Sequence, residues 1–387
     1  MKNLNKLFTA NSQHTYKMRL EKKYFKFEYH DALFSGDTIL KIIHFVNTIH
    51  YKYKNIRFPI FFKFGEIKIA DKMSYILFEC ICYYLIKEYH HKVFLYINPK
   101  DTIDTSGIFS SCLKLLNNNS GKNMDKFIAC FKMEIYKNHF RRIIQGSERE
   151  KTNYLGNLLQ ELDSFLKFFN IVEDYRDEIT EVIAELVGNA CEHGHTDCLL
   201  DIDIADNYSK SIENNQQKKF FYGINIVIIN FSSILLGDGI KEKIENNNFK
   251  EERYISLKKA YNYHKTSFTE SYSYIDFCNL SSLQDKISGR TYYSLSGGTG
   301  LTKLIRSLQE KSDMNSCYVI SGNRCIRFIK ELLNYNKDNW LGFNQQMDFF
   351  NSLPDKTVIV PCYIYFPGTA YNLNFIMKKE DMNNENN

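Results

Sequence analysis

In residues 178–195, EITEVIAELVGNACEHGH, the apolar residues Ile179, Val182, Ile183, Leu186, Val187 and Ala190 recur every three or four positions. That spacing makes a single stripe on a helix, and the rest of the chain must supply a sheet or a second helix to bury it. The opposite edge carries Glu178, Glu181, Glu185, Asn189 and Glu192. Glu185 and Asn189 are four apart and stand one above the other. A carboxylate serves as a general base toward water, and an amide oxygen is a hard ligand suited to magnesium. The wet edge is therefore either an ordinary solvated face or a site.

The surrounding chain reads as material for a sheet. CLLDIDIA (198–205) and FYGINIVIINFS (221–232) are apolar runs that predict two strands joined by a polar insertion at 206–219. Ahead of them, NYLGNLLQELDSFLKFFNI (153–171) predicts an amphipathic helix, with the Glu185 helix following from about Asp177. Residues 240–290 read as helical and charged, either a mobile cover or a helical insertion. SCYVISG, RCIRFIK, TVIVPCYIYF and YNLNFIM, the last two around Pro367, Gly368 and Thr369, predict antiparallel hairpins closing the sheet. Nearer the start, IRFPIFFKFGEIKIA (56–70) predicts one or two strands. A helix over 72–90 with Ile76, Leu77, Cys80, Ile81, Tyr84 and Leu85 inward follows, then the buried strand KVFLYIN. NNNSGKNMDK (117–126) reads as a polar connection.

With 387 residues the chain has room for two domains, and the reading divides it into an α/β domain at 1–150, a second domain at 151–377 and a disordered tail at 378–387. Fifty basic against 45 acidic residues leave a net charge of +5, scattered along the chain, so charge alone does not indicate nucleic acid. The nearest approach to a basic patch, His139-Phe140-Arg141-Arg142, reads as a solvated helix face. The ten cysteines form no pair of CxxC motifs and are expected as buried free thiols in a reducing compartment. A zinc site from Cys191, His193, His195 and Cys198 would have spacing unlike the common structural zinc sites. The first residues lack a secretory signal and the greasiest runs are too short or too polar to span a bilayer, so a cytoplasmic protein without membrane contact is expected.

A second candidate region is SLSGGTGLTKLI (294–305), where glycines precede an apolar-periodic helix. Glycine lets backbone N–H groups approach an anion, and a helix amino end adds a favourable dipole. This has the form of a phosphate cradle, although not the Walker form.

Taken together, ELVGNACEHG, a strand pair, a long variable segment, GGTGL opening a helix and a final hairpin resemble the GHKL ATPases. That family includes histidine-kinase ATP-binding domains, gyrase-type ATPases and Hsp90. The form E-L-x-x-N-A-x-x-H-G looks most like the anti-sigma-factor or STAS-associated branch. The resemblance implies an α+β Bergerat-type sandwich on a mixed, mainly antiparallel sheet, preceded by a smaller α/β domain similar in pattern to STAS domains. It also implies ATP and Mg2+ as cofactors, with Glu185 as catalytic base and Asn189 as magnesium ligand. Gly297, Gly298, Thr299, Gly300 and Leu301 would lie along the triphosphate. His193 at the end of the base-bearing helix would be a cap or a phosphate contact. The family's D-x-G-x-G motif is replaced here by INFSSILLGDGIKEKI, so Asn230, or Asp238 with Gly239, would meet the base. The expected function is a slow ATPase whose nucleotide state switches a surface for a protein partner in a regulatory, stress or defence pathway. The alternatives are a serine/threonine kinase of anti-sigma type and a degenerate nucleotide-binding interaction module; a homodimer is left open.

Overall fold

A computed structural model describes residues 1–18, 20–21, 23–65, 67–96, 111–117, 121–150, 153–194, 196–210, 219–247, 252–287, 300–311 and 317–378. The tail from 379, the glycines at 297 and 298, Thr299 and His195 lie outside the described residues.

After a short helix α1 (Asn5–Ala10), the N-terminal half builds a four-stranded sheet from β1 (Leu20–Glu21), β2 (Tyr24–Tyr29), β4 (Ile60–Phe64) and β6 (Val93–Tyr96), in that order. β2, β4 and β6 run parallel, with β1 antiparallel at the edge. The short strands β3 (Leu33–Phe34) and β5 (Lys68–Ile69) pair separately. Helices α2 (Gly36–Lys52) and α3 (Lys72–Lys87) make the crossovers between the parallel strands. The expected strand-helix-strand unit is thus β4, α3 and β6. Each helix is started by its local sequence: the Ser35 N–H donates to Thr38 Oγ1 at 3.1 Å, and Asp71 accepts from the Ser74 N–H at 2.7 Å. Their inner faces meet a phenylalanine core of Phe25, Phe27, Phe45, Phe62, Phe64 and Phe78, all fully buried. Each such ring contributes roughly 1.5–3 kcal/mol of burial.

The second sheet has six strands in the order β11-β12-β10-β9-β8-β7, and all of its pairings are antiparallel rather than mixed. It begins with β7 (Met133–Tyr136) and β8 (His139–Ile144), which pair with β9 (Cys198–Lys210), so this sheet starts ahead of residue 150. The sequence HFRRII is therefore a strand, not a helix face. Helix α4 (Gly121–Lys132) replaces the connection read at 117–126, because Phe127 and Phe131, four apart, anchor one helical face in the core.

Helices α5 (Tyr154–Lys167) and α6 (Glu173–Gly194) lead into β9, and β10 (Lys219–Phe231) returns beside it. Three further helices follow, α7 (Asp238–Glu245), α8 (Glu252–His264) and α9 (Tyr274–Ser282), and then α10 (Gly300–Lys311). The final hairpins become two strands, β11 (Tyr318–Arg327) and the twenty-residue β12 (Ile359–Lys378). Pro367 and Gly368 do not turn the chain. They kink β12 where its register against β11 shifts, with Gly368 at φ +102°.

Alternation along β9 and β10 sends their side chains to two cores. Leu200, Ile202, Ile204, Ile224, Ile226 and Ile228 pack with α6 and α10, while Leu199, Val227, Ile229 and Phe231 pack with the N-terminal half. The second sheet is covered on both faces. All ten cysteines are free thiols, seven of them buried.

Candidate functional site

The apolar stripe of α6 is buried as its spacing requires: Ile179, Val182, Ile183, Leu186 and Val187 all lie in the core beneath it. Its other edge meets α10. Ser307 Oγ donates to the Glu178 carboxylate, and Lys303 Nζ lies 2.5 Å from Glu181 Oε2. Going up α6 from Glu178 to Glu181 goes down α10 from Ser307 to Lys303, so the helices are antiparallel neighbours. One further turn brings Glu185 level with Gly300, the first residue of α10. Glu185 and Asn189 are half-buried there, and Leu301 packs its side chain on the core. A helix amino end carries partial positive charge and unsatisfied N–H groups. The candidate base, the candidate magnesium ligand and the start of the glycine-preceded helix thus share one side of the molecule. His193 lies on the last turn of α6, its side chain outside the described residues.

Asn230 ends β10 on the α6 side of the sheet and is buried. Its amide nitrogen donates to Thr196 Oγ1 at 2.5 Å, the Asp197 carbonyl at 3.2 Å and the Ala190 carbonyl at 3.3 Å. The side chain therefore stitches the end of α6 to the start of β9. Asp238 turns back on its own loop, where Oδ2 accepts the Leu235 N–H at 2.7 Å and closes the turn into α7; Gly239 is the next residue of that helix. Both residues expected near a base thus have protein partners. Cys191 and Cys198 are fully buried.

On the other face of the sheet lies a charged cluster that the sequence reading missed. Lys72 and Glu79 come from α3, His139 and Arg141 from β8, and Asp201 and Asp203 from β9; none is more than 6% exposed. Lys72 Nζ sits 2.6 Å from Asp201 Oδ1, 2.5 Å from Asp203 Oδ2 and 3.2 Å from the Asn225 carbonyl. Arg141 bridges the Glu79 carboxylate and, at 2.5 Å, Asp201 Oδ2. His139 Nε2 lies 2.9 Å from Asp201 Oδ2, and its Nδ1 lies 3.2 Å from Glu134 Oε2. Ser111 Oγ donates to Glu79 Oε1 at 2.7 Å.

Burial opposes charge on Asp201, Asp203, Glu79 and His139, and the charged partners offset it at some of them and not at others. Burial works against ionised Asp201, yet Arg141, Lys72 and His139 hold its carboxyl well below the usual range. Burial prevails at Asp203 and at Glu79, whose pKa values rise despite Lys72 and Arg141 respectively. Burial also works against charged His139, but Asp201 and Glu134 lift it to about 9. His139, Asp201 and Asp203 are close enough together to hold a metal ion. The Lys72 ammonium already occupies the position between the two carboxylates, and Arg141 supplies a second positive charge. The cluster carries its own cations and fastens α3 to the sheet. Two aspartates two apart in an apolar strand, DID in LLDIDIA, were the available signal: on a buried face they require cationic partners.

No protein-family model, curated protein or solved structure gave a significant match to the chain. Among the described residues no helix is long and apolar enough to cross a membrane.

Proposed function

We propose that the chain is a magnesium-dependent ATP-binding protein of the GHKL type that hydrolyses ATP slowly, its smaller α/β domain at 1–150 being STAS-like. The observation that supports this reading is the antiparallel register of α6 and α10, in which Glu178 meets Ser307 and Glu181 meets Lys303; continued one turn, it would bring Glu185 level with the start of α10. Asn189 would hold magnesium through its amide oxygen, and Glu185 would orient the attacking water and take its proton. Backbone N–H groups at the start of α10 would carry phosphate charge. Magnesium, when bound, would neutralise phosphate charge. A carboxylate, an amide oxygen and a helix amino end are donors of the kind that a magnesium-bound phosphate would take. In this reading nucleotide state changes a surface for a protein partner.

The test is ATP binding and phosphate release with and without magnesium, for wild type and Glu185→Ala. Binding should survive the substitution while turnover falls roughly 100-fold or more. Absence of magnesium-dependent binding in the wild type overturns the reading; unchanged turnover in Glu185→Ala overturns the choice of base. Label transferred to a partner protein, instead of released, would mark a kinase. A degenerate interaction module is the second reading, favoured by the inward hydrogen bonds of Asn230. Measurable hydrolysis would dispose of it.

A further inference from the structure

The amino ends of the three parallel strands lie side by side at one end of the N-terminal half. The Phe25 N–H donates to the Pro59 carbonyl and the Ile60 N–H to the Lys92 carbonyl, both at 2.8 Å. Exposed Lys23, Lys54, Arg57, His90 and Lys92 occupy the turns leading into β2, β4 and β6. Exposed Lys52 and Lys87 close α2 and α3 at the same end. The helix dipole accounts for a lysine at each helix end, but not for the four Lys and Arg residues in the turns. Glu88 is the one acidic residue in segments 50–58 and 86–92, whereas the whole chain is nearly balanced at 50 basic to 45 acidic. Residues scattered in the sequence are gathered here by the parallel sheet.

Aromatic rings are set among these charges. His14 stacks on Tyr51 at 4.6 Å with the planes 6° apart, and Tyr51 is 69% exposed. Tyr89 has the His50 ring on its face at 3.7 Å and the Arg57 guanidinium 5.9 Å from its centroid. Cations that track a phosphate backbone, interleaved with flat rings on which bases stack, are the two components of sequence-tolerant single-strand binding. A membrane-inserting face would instead present Leu, Phe or Trp, and Tyr51, in the last turn of α2, is the only large hydrophobic side chain exposed among the described residues of segments 50–58 and 86–92.

We propose that this end of the N-terminal half binds single-stranded nucleic acid, with Lys52, Lys54, Arg57, Lys87 and Lys92 on phosphates and the Tyr51–His14 stack under an unpaired base. This surface is independent of the ATP reading. Fluorescence anisotropy with labelled oligo(dT) and oligo(U) of equal length separates DNA from RNA as the natural source. About five phosphate contacts give a salt slope near −3.5, so affinity should fall about 100-fold between 50 and 200 mM salt. K54E/R57E/K92E should weaken binding at least about tenfold, the loss of roughly three phosphate contacts. Tyr51→Ala should weaken single-strand binding about fivefold or more, the low end for one base stack, while leaving binding to a hairpin duplex unchanged. Circular dichroism melts check that each variant is folded, and Lys54→Gln alone replaces the triple variant if that one is not. No binding of either oligonucleotide by the wild type at 50 mM salt would overturn the proposal. So would full binding by the folded triple variant or, where Lys54→Gln replaces it, by that folded variant, or binding to phosphatidylserine vesicles without binding to oligonucleotides.

Discussion

Raising the pH through the range in which His139 loses its proton should loosen the junction between α3 and the second sheet. The imidazole is 2% exposed and lies 2.9 Å from Asp201 Oδ2. Burial alone would lower its pKa; the Asp201 and Glu134 carboxylates outweigh burial and hold it at about 9. In the unfolded chain a histidine titrates near 6.5. Because the folded value is the higher one, protonated His139 contributes its full stabilisation below about pH 6.5, and this is lost as the pH rises through about 9. A separation of about 2.5 units corresponds to roughly 3 kcal/mol, a large share of the 5–15 kcal/mol that holds a typical domain folded.

The assay is urea unfolding, followed by fluorescence and circular dichroism between about pH 6 and pH 9.5, for wild type and His139→Gln. Buried thiols such as Cys82, Cys112 and Cys198 are pushed upward by burial, so they also destabilise the fold as the unfolded chain ionises near pH 8.5. That contribution is common to both proteins and cancels in their difference. Wild type should lose about 2–3 kcal/mol more than the variant across the range. Parallel stability curves for the two proteins would refute the coupling of His139 to Asp201.

Arg141→Met should cost about 3–5 kcal/mol, because it leaves Glu79 and Asp201 buried with one partner fewer; adding Glu79→Gln should recover part of the loss in the same urea titration. Gly368→Ala should lower the thermal midpoint, since the new Cβ would lie 2.2 Å from the Asn230 carbonyl oxygen at φ +102°. A strained backbone of this kind costs on the order of 1–3 kcal/mol, and an unchanged melt would show that β12 can relax around the kink.

What the sequence made legible was local. The stripe of α6 has the period of a helix, and Ile202 and Ile204 alternate as a strand does, so the elements could be named before their partners were known. Pairing and charge burial are non-local, and there the reading failed. Arg141 looks like a surface residue until Glu79 and Asp201, each about 60 residues away in sequence, are placed against it. Pro367 and Gly368 carry the chemistry of a turn, yet β10 and β11 pair on either side of β12 and hold it as one bent strand. For the candidate site, Glu185 and Asn189 could be chosen from their four-residue spacing. The approach of Glu185 to the start of α10 depended on contacts between helices more than 100 residues apart. Asn230 could not be assigned its hydrogen bonds because Thr196 and Asp197 come from a turn whose approach no pattern encodes.

The sheet with two faces also sets an order of events at the ribosome. Lys72 and Glu79 on α3 are synthesised long before Asp203, 131 residues after Lys72, and Asp201. At about 5–20 residues per second, roughly 6–25 s pass before those carboxylates arrive. Through that interval the N-terminal half holds cations, carboxylates and an apolar face intended for a sheet not yet made. Its last step of folding waits on translation of β9, and a nascent chain stalled before residue 201 would be held in a state that chaperones and proteases can recognise.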